Sequence, residues 1–122
     1  MLKSTLIAIV DDDLAIREAL DDLIKSLGYE SRVFASAEEF LEFRPRASID
    51  CMVVDVKMPG LSGIELQRRL IVEADCPPMI FMTSYHDEHM RTAAMEAGAL
   101  AFLGKPVDLQ KLIQCVEEAV ST

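Results

Sequence analysis

Asp11, Asp12, Asp55, Thr83 and Lys105 are the residues whose types and settings suit chemistry better than packing. Asp55 ends the run Cys51-Met52-Val53-Val54, which is too short for a helix and reads as a buried strand. Met58-Pro59-Gly60 then stops any strand and turns the chain. Ligands of an open parallel sheet sit outside the carboxyl ends of its strands, so Asp55 is aimed at such a site, and we expect its carboxylate to accept a phosphoryl group. A second apolar run, Thr5 to Val10, leads directly into Asp11-Asp12-Asp13. Helix capping and the helix dipole account for Asp13 and for one more acid, but not for three repelling neighbours. Acids gathered at strand ends need a cation, and oxygen-only ligands suit a hard divalent ion such as Mg²⁺. That ion would neutralise an incoming phosphoryl group, so a carboxylate could act as nucleophile. A hydroxyl from Thr83 and an ammonium from Lys105 would hold the remaining phosphoryl oxygens.

These residues need elements to carry them to one edge. Between the first strand and Gly28, Ile16, Leu20, Leu23, Ile24 and Leu27 recur at helical spacing. Tyr29 to Phe34 reads as a strand with Val33 and Phe34 its main apolar residues. Ser36-Ala37-Glu38-Glu39 has the form of a capping box for a short helix through Phe43, followed by a loop over Arg44 to Ser48. After Asp55, Ser62-Gly63-Ile64-Glu65 opens a third helix that carries Leu66, Leu70 and Ile71 inward until Cys76-Pro77-Pro78 breaks it. Met79 to Met82 is the fourth strand and delivers Thr83. His86 to Ala97 is a helix with Met90, Ala93, Ala94 and Ala97 on its apolar side, stopped by Gly98. Ala99 to Leu103 is the fifth strand, ending at Gly104-Lys105-Pro106. Asp108 starts a last helix with Leu109, Leu112, Ile113, Val116 and Val120 at helical steps. Strands alternating with helices across short loops predict an α/β fold with a five-stranded, doubly wound parallel sheet and five helices.

At 122 residues the chain is expected to be one domain, 1–122, with no output domain. A net charge of −9 argues against direct nucleic acid binding, which needs basic faces. No apolar run approaches the ~20 residues that cross a membrane, and Met1-Leu2-Lys3 leads into a strand without a cleavage site. Cys51, Cys76 and Cys115 lack paired or metal-ligand spacing and read as reduced, small hydrophobic residues of a cytoplasmic protein. His86 and His89 have no third ligand nearby and read as surface residues.

The acid pair Asp11-Asp12, then Asp55, Met58-Pro59-Gly60, Thr83 and Lys105-Pro106, each closing a strand in order, resemble the receiver domain of two-component response regulators. The local pattern from Asp55 to Gly63 is most similar to receivers of nitrogen-fixation-type transcriptional regulators. The resemblance covers the whole chain and implies a flavodoxin-like fold and a phosphorelay switch that takes phosphate from a histidine kinase onto Asp55. It further implies Mg²⁺ held directly by Asp12, through water by Asp11, by Asp55 and by the backbone carbonyl of Lys57. Lys105 would pair with Asp55 or its phosphoryl group, and the Lys105-Pro106 peptide would be cis. The implied switch is Thr83 drawn towards Asp55 while the ring of Phe102 turns into the space it leaves. That movement would alter the surface of the fourth helix, fifth strand and fifth helix, a face on which a homodimer or an output partner could form. Where the family often has Tyr, Phe102 offers no hydroxyl, so packing alone would carry the signal. Lys57 and Tyr85 would border the attacking water's path, with Tyr85 shielding the phosphoryl group.

Two other readings compete. A phosphohydrolase with an aspartyl nucleophile usually needs an acid–base Asp two residues further on, where this chain has Lys57. A degenerate interaction module would not need the full set of Asp11, Asp12, Asp55, Thr83 and Lys105. The resulting expectation is a protein catalytic only towards itself, not an enzyme.

Overall fold

The structure, a computed structural model, describes residues 4–84 and 87–121. Five strands, β1 (Leu6–Val10), β2 (Glu30–Phe34), β3 (Cys51–Asp55), β4 (Met79–Thr83) and β5 (Ala101–Gly104), form one sheet. All neighbouring pairs are parallel, in the order β2-β1-β3-β4-β5. The helices are α1 (Leu14–Ser26), α2 (Ala37–Leu41), α3 (Gly63–Val72), α4 (Glu88–Glu96) and α5 (Leu109–Val120). This is the expected doubly wound flavodoxin-like arrangement. Its strand order reverses between β1 and β3, and that switch point is where such sheets open a crevice.

The central strands β1, β3 and β4 are apolar up to their last residue, where β3 and β4 end in Asp55 and Thr83, because helices cover both faces of the sheet. Successive side chains point to opposite faces. Ala8, Val10, Met52, Val54 and Phe81 pack into one core with residues of α2, α3 and α4. Ile7, Ile9, Cys51, Val53, Ile80 and Met82 pack into the other with α1 and α5. The same alternation sorts the residues at and just past the strand ends. Asp11 and Asp55 share the parity of Ile9 and Val53, on the α1/α5 side, and Lys105 shares that of Leu103. Thr83 and Phe102 share the parity of Phe81, on the α4 side.

Several element ends differ from the sequence reading. α2 stops at Leu41 rather than Phe43, and Arg46–Ser48 forms a 3₁₀ turn inside the expected loop. α4 begins at Glu88 because Asp87 is extended and caps it, accepting from the amides of His89 and Met90. His86 and Tyr85 lie outside the described residues, as do Met1, Leu2 and Lys3. β5 begins at Ala101, since the Ala99 amide still bonds back to the Ala94 carbonyl at 3.0 Å and finishes α4 instead. Ile71, Leu109 and Val33 are exposed rather than core, as are Ala93 and Ala97. α4 packs through Met90 and Ala94, as expected, and through Met95 in place of the other two alanines. There Gln67 of α3 donates to the Ala94 carbonyl at 3.1 Å. Alanines carry too little apolar area to decide which face a helix buries. Cys51 is buried and burial pushes its thiol up to about 12, whereas Cys76 is exposed rather than packed.

Candidate functional site

Chain topology brings the ends of β1 and β3 side by side, and the acids with them. Ligand oxygens of Asp11, Asp12 and Asp55 lie within 4.8 Å of one another, with Asp11 and Asp55 buried and Asp12 exposed. Asp11 is held on three sides. Its Oδ1 accepts from the Asp13 amide at 2.9 Å, its Oδ2 from Lys105 Nζ at 3.1 Å, and its backbone carbonyl from Arg17 Nη1 at 2.8 Å. Lys105 Nζ also pairs with Asp55 Oδ1 at 3.3 Å. Asp13 turns away from the cluster and caps α1, accepting from the Ala15 and Ile16 amides.

One ammonium facing three carboxylates leaves these four groups negative. Burial, then the neighbouring Asp11 carboxylate, push Asp55 up to about 6, against the pull of Lys105. Burial alone would lower Lys105, but its bonds to Asp11 and the charge of Asp55 outweigh that and raise it. The donors are hard oxygens, their joint charge is negative, and Asp12 keeps the cluster open to solvent. This set fits a hard divalent cation.

Asp55 leaves the sheet into a loop that closes on itself. The Val56 amide donates to the Met82 carbonyl and the Gly63 amide to the Val56 carbonyl, each at 2.9 Å. Within that loop Lys57 is exposed, next to the buried Val56. α3 starts immediately with a complete capping box between Ser62 and Glu65. A Cβ at Gly63 would lie 2.5 Å from the Asp55 carbonyl oxygen and 3.0 Å from Val54 Cγ1. Both obstacles belong to the buried end of β3, so they cannot simply swing aside. Gly63→Ala is therefore expected to destabilise the fold by about 1–3 kcal/mol, the usual range for overpacking. Denaturant unfolding would measure it, and a variant as stable as the parent would show that α3 can shift without strain.

Thr83 is buried at the end of β4, and its carbonyl accepts the Lys105 amide at 2.7 Å, tying the ends of β4 and β5 together. The Lys105–Pro106 peptide is cis. Phe102 is half-buried with its ring 6.1 Å from that of Phe81. Thr83 and Phe102 line a common pocket of about 150 Å³ with Asp87, Glu88, Arg91 and Gly104. The predicted residues therefore fall into two groups, one on each side of β4: the acids with Lys105, and Thr83 with Phe102. Sequence reasoning did not single out Arg17 or Glu38. Arg17 fastens the end of β1, and the carboxylate of Glu38 reaches from α2 to accept the Leu61 amide at 3.0 Å. Neither contact leaves a periodic trace in the sequence.

Residues 7–117 match the family described as the response regulator receiver domain. The chain is 39% identical over 114 residues to the transcriptional regulatory protein FixJ of Bradyrhizobium diazoefficiens, covering 93% of this chain and 56% of that protein. It is 36% identical over 118 residues to the response regulator protein TodT of Pseudomonas putida, covering 97% and 52%. The chain thus spans about half the length of these curated relatives. Among solved structures it is similar to the response regulator StyR, with TM-score 0.91, 40% identity, and 98% and 60% of the two chains covered. It is also similar to FixJ-N, with TM-score 0.85, 33% identity, and 98% and 96% covered. Among the described residues no helix is long and apolar enough to cross a membrane.

Proposed function

This chain belongs to the response regulator receiver domain family, a phosphorelay signalling family and not a class of conventional enzymes, and from that premise we propose that Asp55 is its phosphoacceptor. The observation that carries this reading is the gathering of Asp11, Asp12 and Asp55 around Lys105 at the β1/β3 switch point. The donor is a histidine kinase. An Asp55 carboxylate oxygen forms the new P–O bond while the P–N bond to the kinase imidazole breaks, and the imidazole leaves with the electron pair. An ionised carboxylate needs no base for this step. Asp11, Asp12, Asp55 and the Lys57 backbone carbonyl would hold Mg²⁺, which supplies charge neutralisation for the transferred group. Lys105 takes up phosphoryl oxygen charge from the opposite side, and the Thr83 hydroxyl donates to another phosphoryl oxygen.

The phosphoryl group biases a two-state element. Thr83 moves towards Asp55, and Phe102 turns into the room beside it. The pocket the two share supports this reading, since space for a ring to move already exists. The altered surface is α4, β5 and α5, which passes the signal to an output segment or a separate partner and can pair two copies. With a charge of −9 this segment does not itself contact nucleic acid, and it works in the cytoplasm.

Incubation with Mg²⁺ and a small acyl-phosphate donor tests the proposal. We expect a gain of one phosphoryl mass, located on Asp55, with shifted ring signals for Phe102. Continuous donor turnover would instead mark a phosphohydrolase, and no reaction a degenerate module.

A further inference from the structure

We infer that Glu38 is a positioning residue for the phosphoryl site: its carboxylate straps the loop after Asp55 to α2 and so fixes the segment that carries Lys57. This role presupposes the function proposed for Asp55. The loop's two ends are secured by the Val56 and Gly63 amides. Across Met58–Leu61, the hydrogen bond to the rest of the fold that the structure describes is Leu61 N to Glu38 Oε2, at 3.0 Å. Gly60 completes the contact. It sits at φ +76°, which favours glycine, and a Cβ there would overlap Glu38 Oε2. The missing side chain therefore lets the carboxylate lie directly on the loop backbone. The same bond to Leu61 holds the Glu38 carboxyl below its usual range.

A strap is useful only if its far end is rigid. α2 has one buried face, Ala37 and Phe40, and the Phe40 ring meets Phe34 of β2 edge-on at 5.1 Å. Ser36 caps the helix by accepting the Glu39 amide at 3.0 Å. Glu38 thus projects from a helix fastened to the core on one side and grips the loop on the other. Mg²⁺ tolerates little deviation from octahedral geometry, so a backbone ligand on a loop needs such support. Partners that orient a ligand without touching the metal commonly change affinity by 10- to 100-fold.

Mg²⁺ titration and amide hydrogen exchange on the parent chain, Glu38→Ala and Glu38→Gln test the strap, with thermal unfolding as the control for folding. In Glu38→Ala the Leu61 amide should exchange faster and Mg²⁺ should bind on the order of ten-fold more weakly. Glu38→Gln keeps a carbonyl oxygen for the same bond and should stay close to the parent. Unchanged Mg²⁺ affinity in Glu38→Ala, or a Gln variant as weak as the Ala one, would overturn the inference. If the parent itself bound no Mg²⁺, the functional reading would have failed instead. Leu61 exchange would then decide the strap alone: unchanged in Glu38→Ala, it is refuted.

Discussion

Asp55→Asn is expected to abolish phosphoryl uptake and, at neutral pH, to make the protein without metal more stable than the parent. The first effect comes from losing the nucleophile. An amide oxygen carries no charge with which to attack phosphorus, and the carboxylate of the neighbouring Asp11 is already committed to Lys105 and to the Asp13 amide. The second effect is electrostatic. Asp55 is pushed up to about 6 in the folded protein from an ordinary value of 3.8. Below about pH 4 it is protonated in both states. Between there and about pH 6 the folded chain keeps a proton that the unfolded chain has released, so this group's contribution to stability falls as pH rises and is lost above that window. The ionised carboxylate therefore costs on the order of 2 kcal/mol at neutral pH. Asn removes the cost, and the difference between variant and parent should grow from pH 4 to pH 7. Matched denaturant curves across that range would measure it. A constant difference would mean that Asp55 is not strained by its neighbours. Mg²⁺ should reverse the order at neutral pH, because binding to the folded parent adds stability, about 2.7 kcal/mol at a hundred times its dissociation constant.

That strain was legible in the sequence, but only in part. Two apolar runs ending in acids placed Asp11, Asp12 and Asp55 at strand ends, and parallel strands necessarily bring such ends to one edge of a sheet. Strand parity, once the register is known, separates Lys105 from Thr83 across β4; the sequence alone put that strand at Ala99–Leu103, two residues ahead of where pairing with β4 begins. The faces of α3 and α4 were less legible. Ile71 continues the helical spacing of Leu66 and Leu70 yet is exposed, while the polar Gln67 is buried because it has the Ala94 carbonyl to bond. Hydropathy could not report a hydrogen bond between two helices. Glu38 was hidden for a related reason: its partner lies 23 positions away, and a surface glutamate in a capping sequence already has a local explanation.

Lys105→Met should produce two opposite effects, and their combination distinguishes a site lysine from a structural one. Lys105 Nζ stands 3.1 Å from Asp11 Oδ2 and 3.3 Å from Asp55 Oδ1, and the three side chains are 16%, 0% and 7% exposed. Removing one partner of a buried pair costs about 3–5 kcal/mol; the partial exposure of the lysine puts the cost without metal at about 3 kcal/mol. Met preserves most of the volume and flexibility, so little of this loss comes from packing. Part of it should be relieved as pH falls towards 5, because Asp55, freed from the cation that pulls it down, can take up a proton. Mg²⁺ should bind the variant more tightly than the parent, since the ammonium no longer repels it from the carboxylates. Phosphorylation, by contrast, should slow by roughly 10²–10³, the usual effect of deleting one preorganised charge donor from a transition state. A lysine that merely held the fold together would weaken metal binding and phosphorylation in step. Titration calorimetry with Mg²⁺ and phosphorylation rates on the same two proteins separate these cases, and a variant that bound Mg²⁺ less well than its parent would remove Lys105 from the site.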